Sequence, residues 1–416
     1  MKANFKHTLV ACYTGYIVQA IVNTLSPLLF IIFNEQLGLS LTEISILITV
    51  NFIIQISMDV ASTFFINVLG YRKSVIIAEF LATVGLLSMA MFTVCIPNKF
   101  VALLASTALM SMGGGIIEVV VSPIVEAIPG DEKASAMSIL HSFYCWGQLA
   151  VVLLTTLFLA IFGMGAWIAL PILYAIVPAI GALMFTIVPV NQLEAGEKAS
   201  SIKKLIRQKG FWLMVIIMVC AGASEVSMAQ WGSLFAEVTL GIPKSLGDLL
   251  GPSVFAICMG LGRIIFGRVA DKIRIERWIC ASFALCILAY LVTTLFDMPI
   301  IASVGFALCG ISVAILWPGT YSLGAREISY GGTLIFALFA LSGDIGCALG
   351  PDLVGIVSDA VSADGNGFLS ALISGSGISA GLRTGLLLAS VFPAVGFIAS
   401  LILSIRLSKN KKLNRQ

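Results

Sequence analysis

The chain has 416 residues, of which 59% are hydrophobic and 11% are charged, and its formal net charge is +3 at pH 7. With a mean hydropathy of +1.05 it lies far outside the composition of soluble proteins. This excludes an ordinary soluble domain. We interpret the basic residues as membrane anchors rather than as a nucleic-acid-binding surface.

Twelve apolar stretches are each long enough to cross a bilayer, which takes about 20 mostly apolar residues. We number these predicted spans in chain order, with approximate bounds 8–34, 43–66, 74–96, 100–127, 136–162, 166–189, 211–236, 248–270, 277–296, 299–323, 331–357 and 381–406. Little chain is left for a soluble domain, so any binding must take place within the membrane or at its faces. The predicted fold class is an all-α membrane protein.

The basic residues predict the orientation of the spans. If the odd-numbered spans begin in the cytoplasm, twenty of the 24 lysines and arginines lie on that side, three lie on the other, and Arg263 lies within span 8. This bias predicts that both termini are cytoplasmic. Span 1 lacks a small-residue cleavage site, so we interpret it as an anchor in the cytoplasmic (inner) cell membrane rather than as a signal peptide.

Spans 1 and 2 each carry a polar face. Gln19 and Asn23 share one face of span 1, and Asn51, Gln55 and Asp59 recur every four residues along span 2. The four amides are candidate substrate-binding residues, because an amide both donates and accepts hydrogen bonds. Asp59 is a candidate for proton coupling, since an acid at membrane depth is costly unless a function or a partner holds it.

Spans 3 and 4 contain one acid each. Glu79 lies about two turns inside span 3, and we expect it to reach a basic residue of the preceding loop or the membrane interface in a structural role. Glu118 lies midway along span 4, near a glycine triplet that allows close packing of backbones and one turn before Ser122. Glu118 is the main candidate for proton coupling and Ser122 for substrate binding. A permanently protonated glutamate that joins two helices is the alternative.

Span 5 and the spans after it add further candidates. His141, Tyr144 and Gln148 form one stripe on span 5. His141 is a candidate for moving protons, although a neutral, hydrogen-bonded histidine is the alternative. The later candidates are two acids for proton coupling, Glu225 in span 7 and Asp344 in span 11, and four residues for substrate binding, Gln230, Trp231, Trp317 and Tyr321.

The longest polar interruption divides the chain into two halves. It covers residues 191–210 and separates residues 1–190 from residues 211–406, which a basic tail follows at 407–416. A repeat supports this division, because the loop that begins at Thr63 and the loop that begins at Gly267 lie about 204 residues apart. Two six-helix halves with a site between them is a common plan of transporters.

The second of these loops resembles the loop signature of the major facilitator superfamily. Gly267, three further residues, Asp271 and then Lys272 match that signature. In the family, its acid and basic residues hold helix ends together on the cytoplasmic side and help to lock one conformation. The resemblance implies gating roles for Gly267 and Asp271. The same role is expected of Arg72, in the basic cluster of the first loop, and of Arg263, which we expect to pair with acids near the cytoplasmic end of span 8.

Both copies depart from the signature. In the first loop Thr63 stands in place of the glycine and Asn67 in place of the acid, so this copy is degenerate. In the second loop Arg274 stands where a glycine is usual.

Three further motifs resemble the fucose:proton symporter family. In that family a glutamate precedes an Asn-Pro pair in the fourth helix, Gly-x-x-Glu-Val occupies the seventh, and Phe-Pro-Thr occupies the tenth. This chain has Glu118 before a Ser-Pro pair, Gly222-Ala-Ser-Glu225-Val, and Trp317-Pro318-Gly-Thr320. The resemblance places the essential glutamate of the family at Glu118 and implies proton-coupled uptake of a sugar.

Two departures limit what this resemblance implies. Ser122 replaces the asparagine of the family. The first helix of the family carries an Asn-Asp pair whose acid serves proton coupling, whereas the corresponding stretch here, Asn23-Thr-Leu-Ser26-Pro27, has no acid. Neither fucose nor that coupling route is therefore carried over, and Asp59 is a candidate to replace the missing acid.

Together these observations predict a twelve-helix major facilitator fold that takes up a small neutral solute, above all a monosaccharide, with a proton. Neutral amides and aromatic faces suit a polyhydroxylated solute. Proton-driven efflux of amphipathic or cationic compounds is the alternative, because buried carboxylates also attract cations.

We expect a functional monomer in the lipid bilayer, with no enzymatic activity, no nucleic-acid partner and no cofactor besides the proton gradient. With two histidines and nine cysteines without paired spacing, we expect no metal site and no disulfides.

Overall fold

The computed structural model describes residues 4–29, 32–33, 36–39, 41–191, 205–241, 247, 249–296, 298–328, 332–363 and 377–413. Seven predicted spans, 1, 4, 5, 7, 8, 9 and 11, are single helices with the bounds Phe5–Leu28, Lys99–Glu126, Lys133–Phe162, Lys209–Leu234, Val254–Val269, Ile275–Leu295 and Gly332–Ala363. Among the described residues, eleven helical stretches are long and apolar enough to cross a membrane. The helical fold class is confirmed, while the count of twelve spans and the cytoplasmic termini stay predictions.

Three spans are interrupted. Span 6 begins with the 3-10 turn Met164–Ile168 and continues as Ala169–Tyr174 and Ile176–Ile187. Span 10 consists of Pro299–Val313 and Leu316–Glu327, and span 12 of Gly377–Ala389 and Val391–Leu413. Wide π-helical turns at Phe235–Thr239 and Leu249–Ser253 follow span 7 and precede span 8.

Spans 2 and 3 are joined without a loop. They form one run of 55 residues, Leu41–Cys95, which is broken only at Gly70, where φ is 78° and ψ is 163°. The part before this break, which contains the predicted span 2, is not among the eleven stretches. Glycine suits the break because a side chain is strained at this positive φ. At the equivalent position of the second copy, Arg274 has φ −88° and ψ 94°, so that turn does not require glycine.

Side chains at the helix starts explain several of the bounds. Asn4 caps span 1 by accepting hydrogen bonds from the backbone N–H groups of Lys6 and His7. The side chain of Asn98 caps span 4 by accepting from the backbone N–H of Val101 at 3.1 Å. Span 10 starts with Pro299, whose missing N–H is not needed in the first turn.

The chain divides into two compact units. Unit 1 contains residues 1–131, 143–195 and 332–341, and unit 2 contains residues 132–142, 196–331 and 342–416. In unit 1, spans 3 and 4 pack closely, since a methyl group added at Gly85 would stand 2.7 Å from the Cα of Met110. In unit 2, spans 7 and 11 do the same, since a methyl group added at Gly346 would stand 2.9 Å from the backbone nitrogen of Ala223.

Candidate functional site

The glycine triplet at residues 113–115 organises the helices of unit 1. A methyl group added at its first glycine would stand 2.6 Å from the carbonyl oxygen of Ala78 in span 3. At the second it would stand 3.2 Å from Cγ1 of Val22 in span 1, and at the third 3.1 Å from Cα of Gln55 in span 2. Span 4 therefore contacts three other spans through bare backbone, and this brings their polar side chains close to Glu118.

Glu118 accepts a hydrogen bond from a side chain of span 1. The residue is 7% exposed, and the side-chain nitrogen Nε2 of Gln19 donates a hydrogen bond to its Oε2. One turn further along span 4, the hydroxyl oxygens of Ser122 and Tyr16 lie 2.9 Å apart in a second hydrogen bond between the same two spans. A carboxyl, an amide and two hydroxyls thus meet in one buried layer.

A set of amides extends this layer to span 2. Asn23 accepts hydrogen bonds at Oδ1 from the Gln55 amide at 2.9 Å and from the Asn51 amide at 3.4 Å. The hydroxyl of Ser111 in span 4 donates to Oδ1 of Asn51 at 2.5 Å. These contacts form three hydrogen-bonded groups along spans 1, 2 and 4. We call their eight residues together the polar cluster: Tyr16, Gln19, Asn23, Asn51, Gln55, Ser111, Glu118 and Ser122. The hydrogen bonds within the three groups involve amides, hydroxyls and one carboxyl, and no lysine or arginine takes part in those bonds.

Three other predicted residues lie in unit 1 outside these bonds. Asp59 is fully buried, one turn beyond Gln55 on the same helix. Tyr144 and Gln148 are half-buried in span 5. His141, the first member of the predicted stripe on that span, belongs to unit 2.

In unit 2 a buried ion pair holds Glu225. Nη2 of Arg263 lies 3.3 Å from Oε2 of Glu225, and both residues are buried. The same guanidinium donates to the carbonyl oxygens of His141 at 2.7 Å and Ala314 at 3.2 Å. We expected Arg263 to pair near the cytoplasmic end of its own span, but the structure pairs it with an acid of span 7. The guanidinium thereby connects spans 5, 7, 8 and 10.

Aromatic side chains lie beside this pair. The ring centroid of His141 lies 5.6 Å from that of Tyr321, which lies 6.3 Å from that of Trp317. Trp317 packs onto Gly343, where an added methyl group would stand 2.7 Å from Cζ3 of the indole. Trp317 and Tyr321 are 8% and 2% exposed, so the two rings form a buried face rather than an interfacial belt.

The remaining candidates of unit 2 have different surroundings. Asp344 is buried and follows Gly343 in span 11. The indole nitrogen of Trp231 donates to the carbonyl oxygen of Pro351 at 3.1 Å, while Gln230 is exposed.

The predicted gating residues make backbone contacts. Arg72 binds the end of span 6, because its guanidinium donates to the carbonyl oxygens of Phe185 at 2.9 Å, Thr186 at 3.0 Å and Val188 at 2.8 Å. Gly267 packs against span 5, where an added methyl group would stand 3.3 Å from the carbonyl oxygen of Ser135. The side chain of Asp271 lies outside the described residues.

Tyr16 and Ser111 are the two members of the polar cluster that sequence reasoning missed. The helical spacing of the sequence could have identified both residues. Tyr16 precedes Gln19 by three residues and Ser111 precedes Glu118 by seven, so each shares a helical face with a predicted residue. Among the residues that the structure describes, no three or more histidines, cysteines or acids are placed to hold a metal ion.

Comparisons with known proteins agree with this architecture. The family model of the Major Facilitator Superfamily matches residues 12–351. The membrane protein MosC of Rhizobium meliloti is 25% identical over 260 residues, and the chain spans 62% of the length of that relative. The matched residues make up the same share, 62%, of this chain.

Solved structures share the fold at low sequence identity. A crystal structure of the E. coli fucose:proton symporter FucP gives a TM-score of 0.75 at 14% identity, covering 95% of this chain and 98% of that one. FucP in its outward conformation gives 0.76 at 16% identity with the same coverage. The proton:xylose symporter XylE, bound to 6-bromo-6-deoxy-D-glucose, gives 0.72 at 14% identity, covering 95% of this chain and 94% of that one.

Proposed function

The chain belongs to the Major Facilitator Superfamily of membrane transporters, and we propose that it takes up a small neutral solute, such as a monosaccharide, together with a proton. Alternating access of the two halves would carry both across the membrane. In this proposal the termini face the cytoplasm, as the distribution of basic residues predicts. The named substrates of FucP and XylE support a sugar as the first solute to test.

One observation carries the proposal: a buried carboxyl lies among neutral hydrogen-bonding groups in the polar cluster. Glu118 supplies a group that can bind a proton, and the amides and hydroxyls around it can bind a solute without charge. A phosphate or carboxylate substrate would instead favour a lysine or arginine within this layer, where the charge-assisted bond is strong.

The Gln19 amide can serve Glu118 in both protonation states. Its NH₂ group donates to Oε2 of Glu118 in the structure, and the same bond can form with an ionised carboxylate. When Glu118 takes up a proton, the carboxylic acid becomes a donor, and the amide oxygen of Gln19 can accept from it after a flip of the side chain. The carboxyl therefore keeps a partner through a proton-binding cycle, which limits the cost of burying it.

A polyhydroxylated solute fits the remaining groups of the cluster. Each solute hydroxyl that stays unpaired in a dry site costs about 1–3 kcal/mol. Asn23, Asn51 and Gln55 each offer both a donor and an acceptor, so they can exchange their mutual hydrogen bonds for bonds to solute hydroxyls. Trp317 and Tyr321 of unit 2 are candidates in their own right, because a sugar ring can pack on flat apolar rings of this kind.

Proton coupling supplies enough energy for accumulation. Moving one positive charge inward through 100 mV yields about 2.3 kcal/mol. At about 1.4 kcal/mol per factor of ten, one proton per cycle sustains roughly 50-fold accumulation of a neutral solute. We assign this proton to Glu118, because the carboxyl of Glu225 is already held by the Arg263 guanidinium.

The test is sugar-driven proton uptake in proteoliposomes. Hexoses, deoxyhexoses and disaccharides are screened with an internal pH dye on the wild type, on Glu118→Gln and on Glu132→Gln. Glu132 is exposed and serves as the matched control. We expect a sugar-dependent pH signal in the wild type and the control, and its loss in Glu118→Gln.

Two results would overturn the proposal. A pH signal that Glu118→Gln retains in full would remove Glu118 from the coupling step. If no sugar moves protons, while amphipathic cations dissipate an outward proton gradient, the protein is an efflux transporter instead.

A further inference from the structure

Glu79 in span 3 is a buried acid that the proposed function does not use. The residue is 0% exposed, and neither of its carboxyl oxygens has a hydrogen-bond partner among the described residues. We expected a structural role in which Glu79 reaches a basic residue of the preceding loop or the membrane interface. The structure instead encloses the carboxyl within unit 1.

Two glycines make room for this carboxyl. A methyl group added at Gly181 in span 6 would stand 2.8 Å from Cδ and Oε1 of Glu79. One added at Gly15 in span 1 would stand 3.5 Å from Oε1, and Val121 and Ile117 of span 4 line the same place. The carboxyl therefore lies between the backbones of spans 1 and 6, and the space that it occupies against span 6 is open only because residue 181 is a glycine.

Among the described residues, no hydrogen-bond donor compensates a negative charge on this carboxyl. Arg72, two turns earlier on the same helix, donates to the carbonyl oxygens at the end of span 6. On span 1 the titratable neighbour is Cys12, which is itself fully buried. On span 6 the backbone of Gly181 lies against the carboxyl, and on span 4 the aliphatic side chains of Ile117 and Val121 lie beside Gly15. An isolated carboxylate in such a place is strongly disfavoured, so the described structure suits the protonated acid.

A proton that never leaves would not explain why an acid is present. A permanently neutral acid leaves its own O–H donor without an acceptor, and such a buried orphan costs about 1–3 kcal/mol. An apolar side chain of similar size would fill the space without that cost. An intramembrane ionisable residue of this kind indicates a functional site.

We propose that Glu79 is a second proton-binding residue of the transporter, which takes up and releases a proton in each cycle. The proposal rests on the proposed function in so far as it assigns that proton to transport. The step is simple acid–base chemistry: an O–H bond forms at the Glu79 carboxylate as a hydronium ion becomes water, and it breaks when the proton returns to water. The protonated acid packs between Gly15 and Gly181, and release requires water to reach this space.

Infrared spectroscopy tests proton binding without a substrate. The full chain in lipid films is titrated from acidic to alkaline pH, and the carboxylic-acid C=O band of the wild type is compared with that of Glu79→Gln. We expect a band that fades as the pH rises, that is absent from Glu79→Gln and that persists in Glu118→Gln. A Glu79-dependent band that does not change with pH, or the absence of any such band, would overturn the proposal.

Transport assays test whether this proton takes part in coupling. With L-fucose and D-xylose as probes, we expect Glu79→Gln to keep sugar exchange across the membrane and to lose the part of the accumulation that the second proton supplies, so that the accumulation ratio falls by up to roughly 50-fold while the proton of Glu118 still drives the remainder. Glu79→Asp, which keeps the acid, should recover part of the accumulation. Full accumulation in Glu79→Gln would refute the coupling role.

The two assays separate this proposal from the proposed function. If the wild type transports neither probe, the sugar assignment is in question, while the infrared titration still decides whether Glu79 binds a proton. Size-exclusion chromatography shows whether Glu79→Gln folds. If it does not, the C=O band that persists in Glu118→Gln is followed against pH, and its pH dependence decides whether Glu79 binds and releases a proton. A shift of this band in Glu79→Asp identifies it as the band of residue 79.

Discussion

Gln19 donates a hydrogen bond to the carboxyl of Glu118, and this contact joins spans 1 and 4 at the polar cluster. Both residues are buried, so this bond takes the place of the hydrogen bonds that the amide and the carboxyl would otherwise make to water. Its loss would leave a buried acid with one hydrogen-bond donor fewer.

The first prediction concerns Gln19→Leu. A hydrogen bond to a charged group contributes about 1.5–3 kcal/mol, so we expect sugar-dependent proton uptake to fall at least about ten-fold. The measurement is initial uptake rate against external pH in proteoliposomes. Gln36→Leu, which makes the same change at an exposed position of unit 1, is the matched control and should leave the rate unchanged. Equal losses in both variants would count against a specific role for Gln19.

The second prediction concerns the ion pair of unit 2. Arg263→Met leaves Glu225 buried without its cation, and removing one partner of a buried pair costs about 3–5 kcal/mol. We expect a clear drop in the thermal unfolding temperature of the purified protein in detergent. In the double variant Arg263→Met with Glu225→Gln, part of this stability should return, because no uncompensated charge remains.

The control for this experiment is Arg268→Met, since Arg268 is exposed in the same helix. It should unfold at the wild-type temperature. If the double variant is no more stable than Arg263→Met alone, the bonds from Arg263 to the carbonyl oxygens of His141 and Ala314 matter more than the pair.

The third prediction concerns Arg72. Its guanidinium satisfies three carbonyl oxygens at the end of span 6, and Arg72→Gln removes these charge-assisted bonds. We expect a loss of about 1–3 kcal/mol in unfolding free energy. Arg72→Lys should recover only part of it, because an ammonium lacks the planar fork of donors. Lys73→Gln, at the exposed neighbouring position, should have no effect in the same thermal unfolding assay.

The fourth prediction concerns the packing of Trp317 onto Gly343. Gly343→Ala forces the indole to move, since the added methyl group would stand 2.7 Å from Cζ3. If the sugar stacks on this ring, the lost contact of about 0.5–1.5 kcal/mol should raise the half-saturating sugar concentration three- to ten-fold. Gly165→Ala, at a position with no neighbour within 4 Å, is the control. An unchanged half-saturating concentration would remove Trp317 from the binding site.

Hydropathy was sufficient to predict the helical class and the positions of most spans. Bilayer thickness fixes the length of an apolar segment, so span 4, predicted at about 100–127, is the helix Lys99–Glu126. The superfamily resemblance is confirmed by the family match. The junction at Gly70 was not predicted, because the hydropathy of a loop does not reveal that a single glycine torsion replaces it.

Partners across helices were harder to predict than faces within a helix. The spacing of Asn51, Gln55 and Asp59 predicted that they share one face of span 2. It could not show that Asn51 and Gln55 both donate hydrogen bonds to Asn23 of span 1. That pairing depends on the glycine triplet, which sets how closely span 4 approaches its neighbours. Arg263 illustrates the same limit, since the sequence favoured a partner near its own helix end and the structure provides Glu225.

The break at Gly70 has a mechanical consequence for unit 1. A loop of several residues would let spans 2 and 3 change their mutual angle with little resistance, whereas this connection offers only the few torsions at and beside one glycine. Any tilt of span 2, which carries Asn51 and Gln55, must therefore twist the backbone at Gly70 or shift span 3, which carries Glu79. The junction thus links any movement of the amides in span 2 to the helix that carries the enclosed acid, through the torsions of a residue that has no side chain.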